Sequence, residues 1–166
     1  MSRRFVSTSP LQVANAFAAV VNGGVYRPAT LVKRDPSAPL NDGERVISER
    51  TSAMVRDVLD YVVKEGTGGN ADAQGYRVGG KTGTADKPSR GAYNEDARIA
   101  TFLGAFPIDD PKYVLLVMVD EPIPQEGTFG FATGGWVAAP AFKRIVERTA
   151  PMLGLEKVVP AEGESD

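Results

Sequence analysis

Apolar residues return at two different periods along this chain, and the change of period divides it. Leu11, Ala14, Phe17, Ala18 and Val21 recur at intervals of three and four, the spacing of one helix face. Ser9-Pro10-Leu11-Gln12 supplies the start of that helix. Ser9 is the N-cap, Pro10 takes the first helical position and Gln12 completes a capping box. Gly23-Gly24 ends the run. Residues 27–47 hold Pro28, Pro36, Pro39 and Asn41-Asp42-Gly43, and read as a surface excursion. A second helix is predicted after Ser48, with Met54, Val55, Val58, Leu59 and Val62 on its apolar face and Gly66 at its end.

Beyond Gly66 the period shortens. Gly66-Thr67-Gly68-Gly69-Asn70 predicts a turn, and strands are expected over about Arg77 to Ala85, Ile99 to Phe106 and Tyr113 to Val119. The polar stretch Asp86 to Asp96, with Pro88 and Gly91, predicts a solvated loop that carries Asp86, Lys87, Glu95 and Asp96. Pro107 to Pro111 predicts a turn. Tyr113 to Val119 is almost continuously apolar, the pattern of a strand covered on both faces. A Gly-rich segment, Gly127 to Gly135, leads to a last helix with Phe142, Ile145 and Val146, which Trp136 is expected to pack onto the sheet. The order helix, helix, three strands, helix predicts an α+β domain, a three-stranded antiparallel meander packed with helices.

Composition narrows the chemistry. A length of 166 residues, 42% apolar and 24% charged, suits one soluble domain or a piece of one. The net charge of −2 comes without a basic patch, which argues against nucleic acid. No apolar run approaches the roughly 18–20 residues of a membrane span, and Met1-Ser2-Arg3-Arg4-Phe5 lacks the apolar stretch of a signal peptide. With no His and no Cys, the printed residues hold no Ser-His-Asp triad, thiol nucleophile, disulfide or zinc site of those ligands. Acid–base work falls to Lys, Asp, Glu or Tyr, and nothing singles out Tyr76 or Tyr93 for it. Asp109 and Asp110 lie in the proline-flanked turn and are assigned no metal.

The candidate chemistry sits in Val78-Gly79-Gly80-Lys81-Thr82-Gly83-Thr84-Ala85. Strand alternation puts Thr82 and Thr84 on one face and Lys81 and Gly83 on the other. A ligand carboxylate at such a strand meets an ammonium, two hydroxyls and backbone N–H groups. Gly83 lets another backbone or a ligand come close, because it has no Cβ.

Lys81-Thr82-Gly83-Thr84, followed by Ala85-Asp86-Lys87-Pro88, resembles the third active-site motif of penicillin-binding proteins, the bacterial D,D-transpeptidases. The likeness is greatest to the class B kind used in division and elongation. Ser7 to Gly24 resembles the helix that follows the family's catalytic centre, and Thr133 to Phe142 the entrance to its closing helix. The resemblance implies a partial penicillin-binding/β-lactamase-like transpeptidase fold. Residues 1–4 fall outside it, residues 5–155 form the C-terminal part of a transpeptidase domain, and residues 156–166 form an acidic disordered tail. It also implies that Lys81, Thr82, Gly83 and Thr84 bind the carboxylate of a terminal D-alanine or of a β-lactam. The Thr84 N–H then supplies half of an oxyanion hole, and Phe129 and Phe131 rim the groove. As plain structure, those two rings instead anchor a Gly-rich turn.

The departures carry as much information. Neither Ser-x-x-Lys nor Ser-x-Asn, the family's nucleophile and relay motifs, occurs in these 166 residues. The expectation is a grip without the acyl-enzyme route, hence neither hydrolysis nor covalent trapping of a β-lactam. No cofactor is implied. The implied partners are a peptidoglycan stem peptide or β-lactam held weakly or not at all, and the N-terminal part of the same domain. A second copy joined through the exposed strand 113–119 completes them. The parent is expected to be anchored in the inner membrane with this domain in the periplasm.

Two other readings compete. Gly75 to Thr82 fits the P-loop pattern G-x-x-x-x-G-K-[ST], with Asp120 at the end of an apolar run as its Walker-B partner. That motif needs a buried strand before Gly75 and a helix opening at Lys81, and the Gly-, Asn- and Asp-rich stretch before Gly75, with Gly83 and Pro88 after it, supplies neither. In the other reading the chain is a non-catalytic binding module, with Lys81 a solvated edge charge and Thr82 and Thr84 ordinary strand formers.

Overall fold

The computed structural model describes residues 8–33, 35, 37–39, 43–89 and 92–158. The expected termini, residues 1–4 and most of the acidic tail, lie outside them, as do the side chains of Tyr93, Glu95 and Asp96.

Helix α1 (Pro10–Val21) begins as its sequence dictates. The Ser9 hydroxyl accepts from the Gln12 N–H, and the Gln12 side chain accepts from the Ser9 N–H at 2.8 Å. Two short strands, β1 (Val25–Tyr26) and β2 (Glu44–Arg45), pair antiparallel and close the surface excursion. Helix α2 (Glu49–Lys64) is capped by the Ser48 hydroxyl. Its inward face differs from the expected one. Ser52, Leu59 and Val63 are buried, whereas Met54 and Val58 are exposed. Ser52 explains the rotation, because its hydroxyl donates to the Val20 carbonyl at 2.6 Å and accepts from the Gly23 N–H at 3.0 Å. A buried hydroxyl that satisfies one backbone group in the last turn of α1 and one just beyond it outranks one more apolar contact.

Strands β3 (Gly79–Ser89), β4 (Ala92–Phe106) and β5 (Tyr113–Asp120) form the antiparallel meander. Of the stretch expected as a loop, residues 86–89 and 92–96 instead belong to β3 and β4 and extend both strands into a long paired arm. The register shifts between Asp86 and Lys87, and the irregularity carries the ladder past the polar residues. Ion pairs from Asp86 to Arg98 and from Lys87 to Asp120 and Glu121 brace the arm's base.

Each sheet face carries a core. On one, Phe102 and Phe106 pack with Phe142 and Val146 of α3 (Ala139–Thr149), together with Val63, Tyr76 and Val78. The Phe102 and Phe142 rings meet edge-on at 4.8 Å. On the other face Val21, Leu59, Ala105 and Ile108 gather, with Phe17, Val55 and Val114 against them. Strand β5 is therefore only partly covered on its two sides, and Met118 is 47% exposed. A five-residue π-helical segment, Gly134–Ala138, feeds α3. Among the described residues no helix is long and apolar enough to cross a membrane.

Candidate functional site

The phase of the ladder decides what β3 offers at its outer edge. The Glu121 N–H donates to the Arg98 carbonyl at 2.8 Å, continuing the β4–β5 register. In antiparallel pairs a residue points both its N–H and its C=O to the same neighbour. Even-numbered residues of β4 thus bond β5 and odd-numbered ones bond β3, leaving Gly80, Thr82 and Thr84 with their backbone groups outward. Among the described residues no strand covers that edge. The Lys81 ammonium reaches around it to the Thr82 carbonyl at 2.9 Å and the Thr82 hydroxyl at 3.4 Å. One open edge thereby collects a cation, a hydroxyl and the Thr82 and Thr84 N–H groups, although Lys81 and Thr82 start on opposite sheet faces.

The Thr82 and Thr84 side chains share the α3 face with their partners Phe102 and Ala100. They open into a cleft of about 440 Å³ also lined by Thr67, Asn70, Thr133 and Trp136. The Thr67 and Thr82 hydroxyl oxygens are 3.1 Å apart, and the Gly134 N–H donates to the Thr84 hydroxyl at 3.2 Å. The Asn70 amide donates to the Gly135 carbonyl at 2.9 Å, tying the turn after Gly66 to the π-helical segment. Gly134 makes this possible. A Cβ there would sit 2.2 Å from the Thr101 carbonyl oxygen and 2.6 Å from that of Gly83, so the segment lies directly on the sheet backbone.

Sequence reasoning named Lys81, Thr82, Gly83 and Thr84, and the structure brings them to one edge. It missed Thr67, Asn70, Thr133 and the Gly134-Gly135 contact. The available signal was Thr67-Gly-Gly-Asn70, read only as a turn, and a glycine pair opening a helix, read only as that helix's entrance. Trp136 does not pack α3 onto the sheet. It lines the cleft and stacks on Phe131 at 6.2 Å, with the Phe129 ring edge-on at 5.6 Å. Phe129 and Phe131 are exposed, and Phe129 holds a φ of 52°. That conformation costs a side-chain-bearing residue about 1–3 kcal/mol.

The P-loop reading fails on geometry. Gly79 to Thr82 lies within β3, no helix opens at Lys81, and Asp120 is engaged by Lys87 at 3.0 Å. Tyr76 is a core residue, Asp109 faces Arg77 and Asp110 pairs with Lys112. Among the described residues no group of acidic side chains is placed to hold a metal.

Comparison with known proteins agrees with this geometry. The model of the penicillin binding protein transpeptidase domain matches residues 3–147. The chain is 43% identical to the probable peptidoglycan D,D-transpeptidase FtsI of Caulobacter vibrioides, over 92% of this chain and 27% of that protein. It is 44% identical to the stage V sporulation protein D of Bacillus subtilis, over 91% of this chain and 24% of that protein. It thus spans about a quarter of the length of these curated relatives. Among solved structures, the apo transpeptidase domain of Burkholderia pseudomallei penicillin-binding protein 3 superposes with a TM-score of 0.78 at 39% identity, covering 90% of this chain and 44% of that one. Penicillin-binding protein 3 of Mycobacterium tuberculosis, complexed with ampicillin, gives 0.74 at 31% identity, over 92% and 36%. With the domain model matching residues 3–147 and relatives and solved structures alike above 30% identity over nine-tenths of the chain, the chain belongs to the penicillin-binding protein transpeptidase domain family.

Proposed function

We propose that this chain is the carboxylate-gripping, C-terminal portion of a peptidoglycan D,D-transpeptidase, with the serine nucleophile and its base supplied by sequence outside these 166 residues. The observation that carries the reading is the convergence of the Lys81 ammonium and the Thr82 and Thr84 N–H groups on the open β3 edge, beside the threonine cleft. An extended peptide ending in a carboxylate fits such an edge, because backbone groups bind its length and the cation and hydroxyls bind its end. A β-lactam carboxylate is the same chemistry on a smaller frame. The Thr84 N–H is the oxyanion donor, useful only once a nucleophile is present. Phe129 and Phe131, held against Trp136, form the groove's apolar rim. On the same reading the longer protein acts in peptide cross-linking, is anchored in the inner membrane and carries this domain in the periplasm. The remainder of the domain is this chain's partner.

Amide NMR titration with an N-acyl-D-alanyl-D-alanine dipeptide tests the grip. Shifts confined to Thr82, Gly83, Thr84 and their neighbours are expected, together with their loss in Thr82→Val and Thr84→Val. Shifts elsewhere only, or none, would overturn the assignment. Intact-mass spectrometry after incubation with a penicillin should show no adduct.

A further inference from the structure

The two threonine hydroxyls of the β3 edge are each met by a polar group of the cleft wall, and only one of those contacts has a fixed direction. At Thr84 the partner is the Gly134 N–H at 3.2 Å. A backbone N–H can only donate, so the Thr84 oxygen accepts and its own proton is left for another acceptor. At Thr82 the partner is the Thr67 hydroxyl, with the two oxygens 3.1 Å apart and either able to donate. The Lys81 ammonium, which can only donate, lies 3.4 Å from the same Thr82 oxygen.

We infer that Thr67 is a positioning residue of the carboxylate grip, donating its proton to the Thr82 oxygen and so turning the Thr82 proton toward the ligand. The inference rests on the carboxylate-gripping reading above and adds a residue to it. A hydroxyl has one proton and two acceptor positions. If Thr82 donated to Thr67, that proton would be consumed, and Thr82 would meet a carboxylate oxygen against oxygen. An ionised carboxylate only accepts, so the arrangement that binds it has Thr67 as the donor and the Thr82 proton free. The bond gained to the ligand is charge-assisted and the stronger of the two. Thr82 and Thr84 then work alike. Each oxygen takes a proton from the cleft wall, and each hydroxyl gives its own to the ligand.

The turn that carries Thr67 is fixed without help from that hydroxyl. Its Gly68 N–H donates to the Val62 carbonyl at the end of α2, at 3.0 Å. Gly68 is buried, and a Cβ there would stand 3.0 Å from the Val62 carbonyl oxygen and 3.4 Å from the Phe102 ring. On the other side the Asn70 amide holds the Gly135 carbonyl, and a Cβ on Gly135 would sit 2.7 Å from the Thr67 carbonyl oxygen. Backbone contacts and Asn70 thus wedge the turn between the core and the π-helical segment. Removing the Thr67 hydroxyl alone leaves the turn in place, and valine keeps the branched shape of the side chain.

Thr67→Val and Thr67→Ser separate the hydroxyl from the shape. In amide NMR titrations with N-acyl-D-alanyl-D-alanine, Thr67→Val is expected to raise the dissociation constant about three- to tenfold, the range of one hydrogen bond, and Thr67→Ser to restore it. The C-terminal amide of the same dipeptide has no carboxylate and should not distinguish the three chains. Three-bond couplings to the Thr82 Cγ2 report its χ1 without any ligand. One rotamer is expected in the unaltered chain and in Thr67→Ser, and averaging in Thr67→Val. Unaltered affinity in Thr67→Val, an equal loss in Thr67→Ser, or a loss shared with the amide would each overturn the role. An unaltered chain with no response to the dipeptide would overturn the carboxylate reading instead. The couplings then decide alone, and a single Thr82 rotamer kept in Thr67→Val would overturn the contact as well.

Discussion

Gly134 shows how one residue sets the shape of the site. Its missing side chain lets the π-helical segment touch the Gly83 and Thr101 carbonyls, and its N–H holds the Thr84 hydroxyl. Gly134→Ala forces these backbones apart and should cost about 1–3 kcal/mol in urea unfolding, an overpacking penalty. The Thr84 hydroxyl loses its donor in the same step, so the dipeptide titration should weaken beyond what unfolding explains. Lys81, Thr82 and Thr84 were legible in the sequence because strand alternation is a local rule. Gly134 was not, because the reason for a glycine there is a contact with residues 50 positions back in the chain. Trp136 failed for the same cause. Its apolar size implied core, and only the neighbouring Phe129 and Phe131 rings make it part of a cleft wall.

At the scale of elements, α1 was read almost to the residue, since its capping box and closing glycines are self-contained signals. The inward face of α2 was misread, because the periodicity of its apolar residues cannot reveal that Ser52 is buried to serve α1. Ser52→Ala leaves the Val20 carbonyl and the Gly23 N–H without their partner, and should cost about 1–3 kcal/mol in thermal or urea unfolding. Met54→Ala, on the exposed side, should be near neutral, within roughly 0.5 kcal/mol. The hairpin arm is held differently. Glu121 first, then Asp120, bonds the Lys87 ammonium and raises its pKa. A raised lysine stabilises the fold fully below the ordinary lysine range and loses that contribution as pH climbs through the raised value. Lys87→Met should therefore lower the melting temperature at neutral pH only slightly, since the pair is solvent-exposed. The difference from the unaltered chain should vanish at strongly alkaline pH.

The whole molecule is a sheet shared by two cores, and the sharing is uneven. Toward Gly104, Ala105 and Phe106 the central strand is buried on both sides, by α3 on one and by Val21, Leu59 and Ile108 on the other. Toward Arg98 and Ile99 it is only half-buried, and the face bearing Leu103, Leu116 and Met118 is covered by α1 and α2 at one end alone. The meander itself was legible, because three apolar runs joined by short turns have few other ways to pair. This imbalance was not, because it depends on how far each helix reaches across the sheet. Local opening follows the number of layers that must separate, so hydrogen exchange in β4 should be slowest over residues 102–106 and faster toward 98–100. Phe142→Ala, which empties the larger core beside Phe102 and Phe106, should cost about 3–5 kcal/mol. If the cores behave as one cooperative unit, that variant will accelerate exchange at Leu103 and Ala105 on the opposite face as much as at Phe102. Acceleration confined to the α3 side would show instead that the helices on the two faces unfold independently, with the sheet as no more than a common floor.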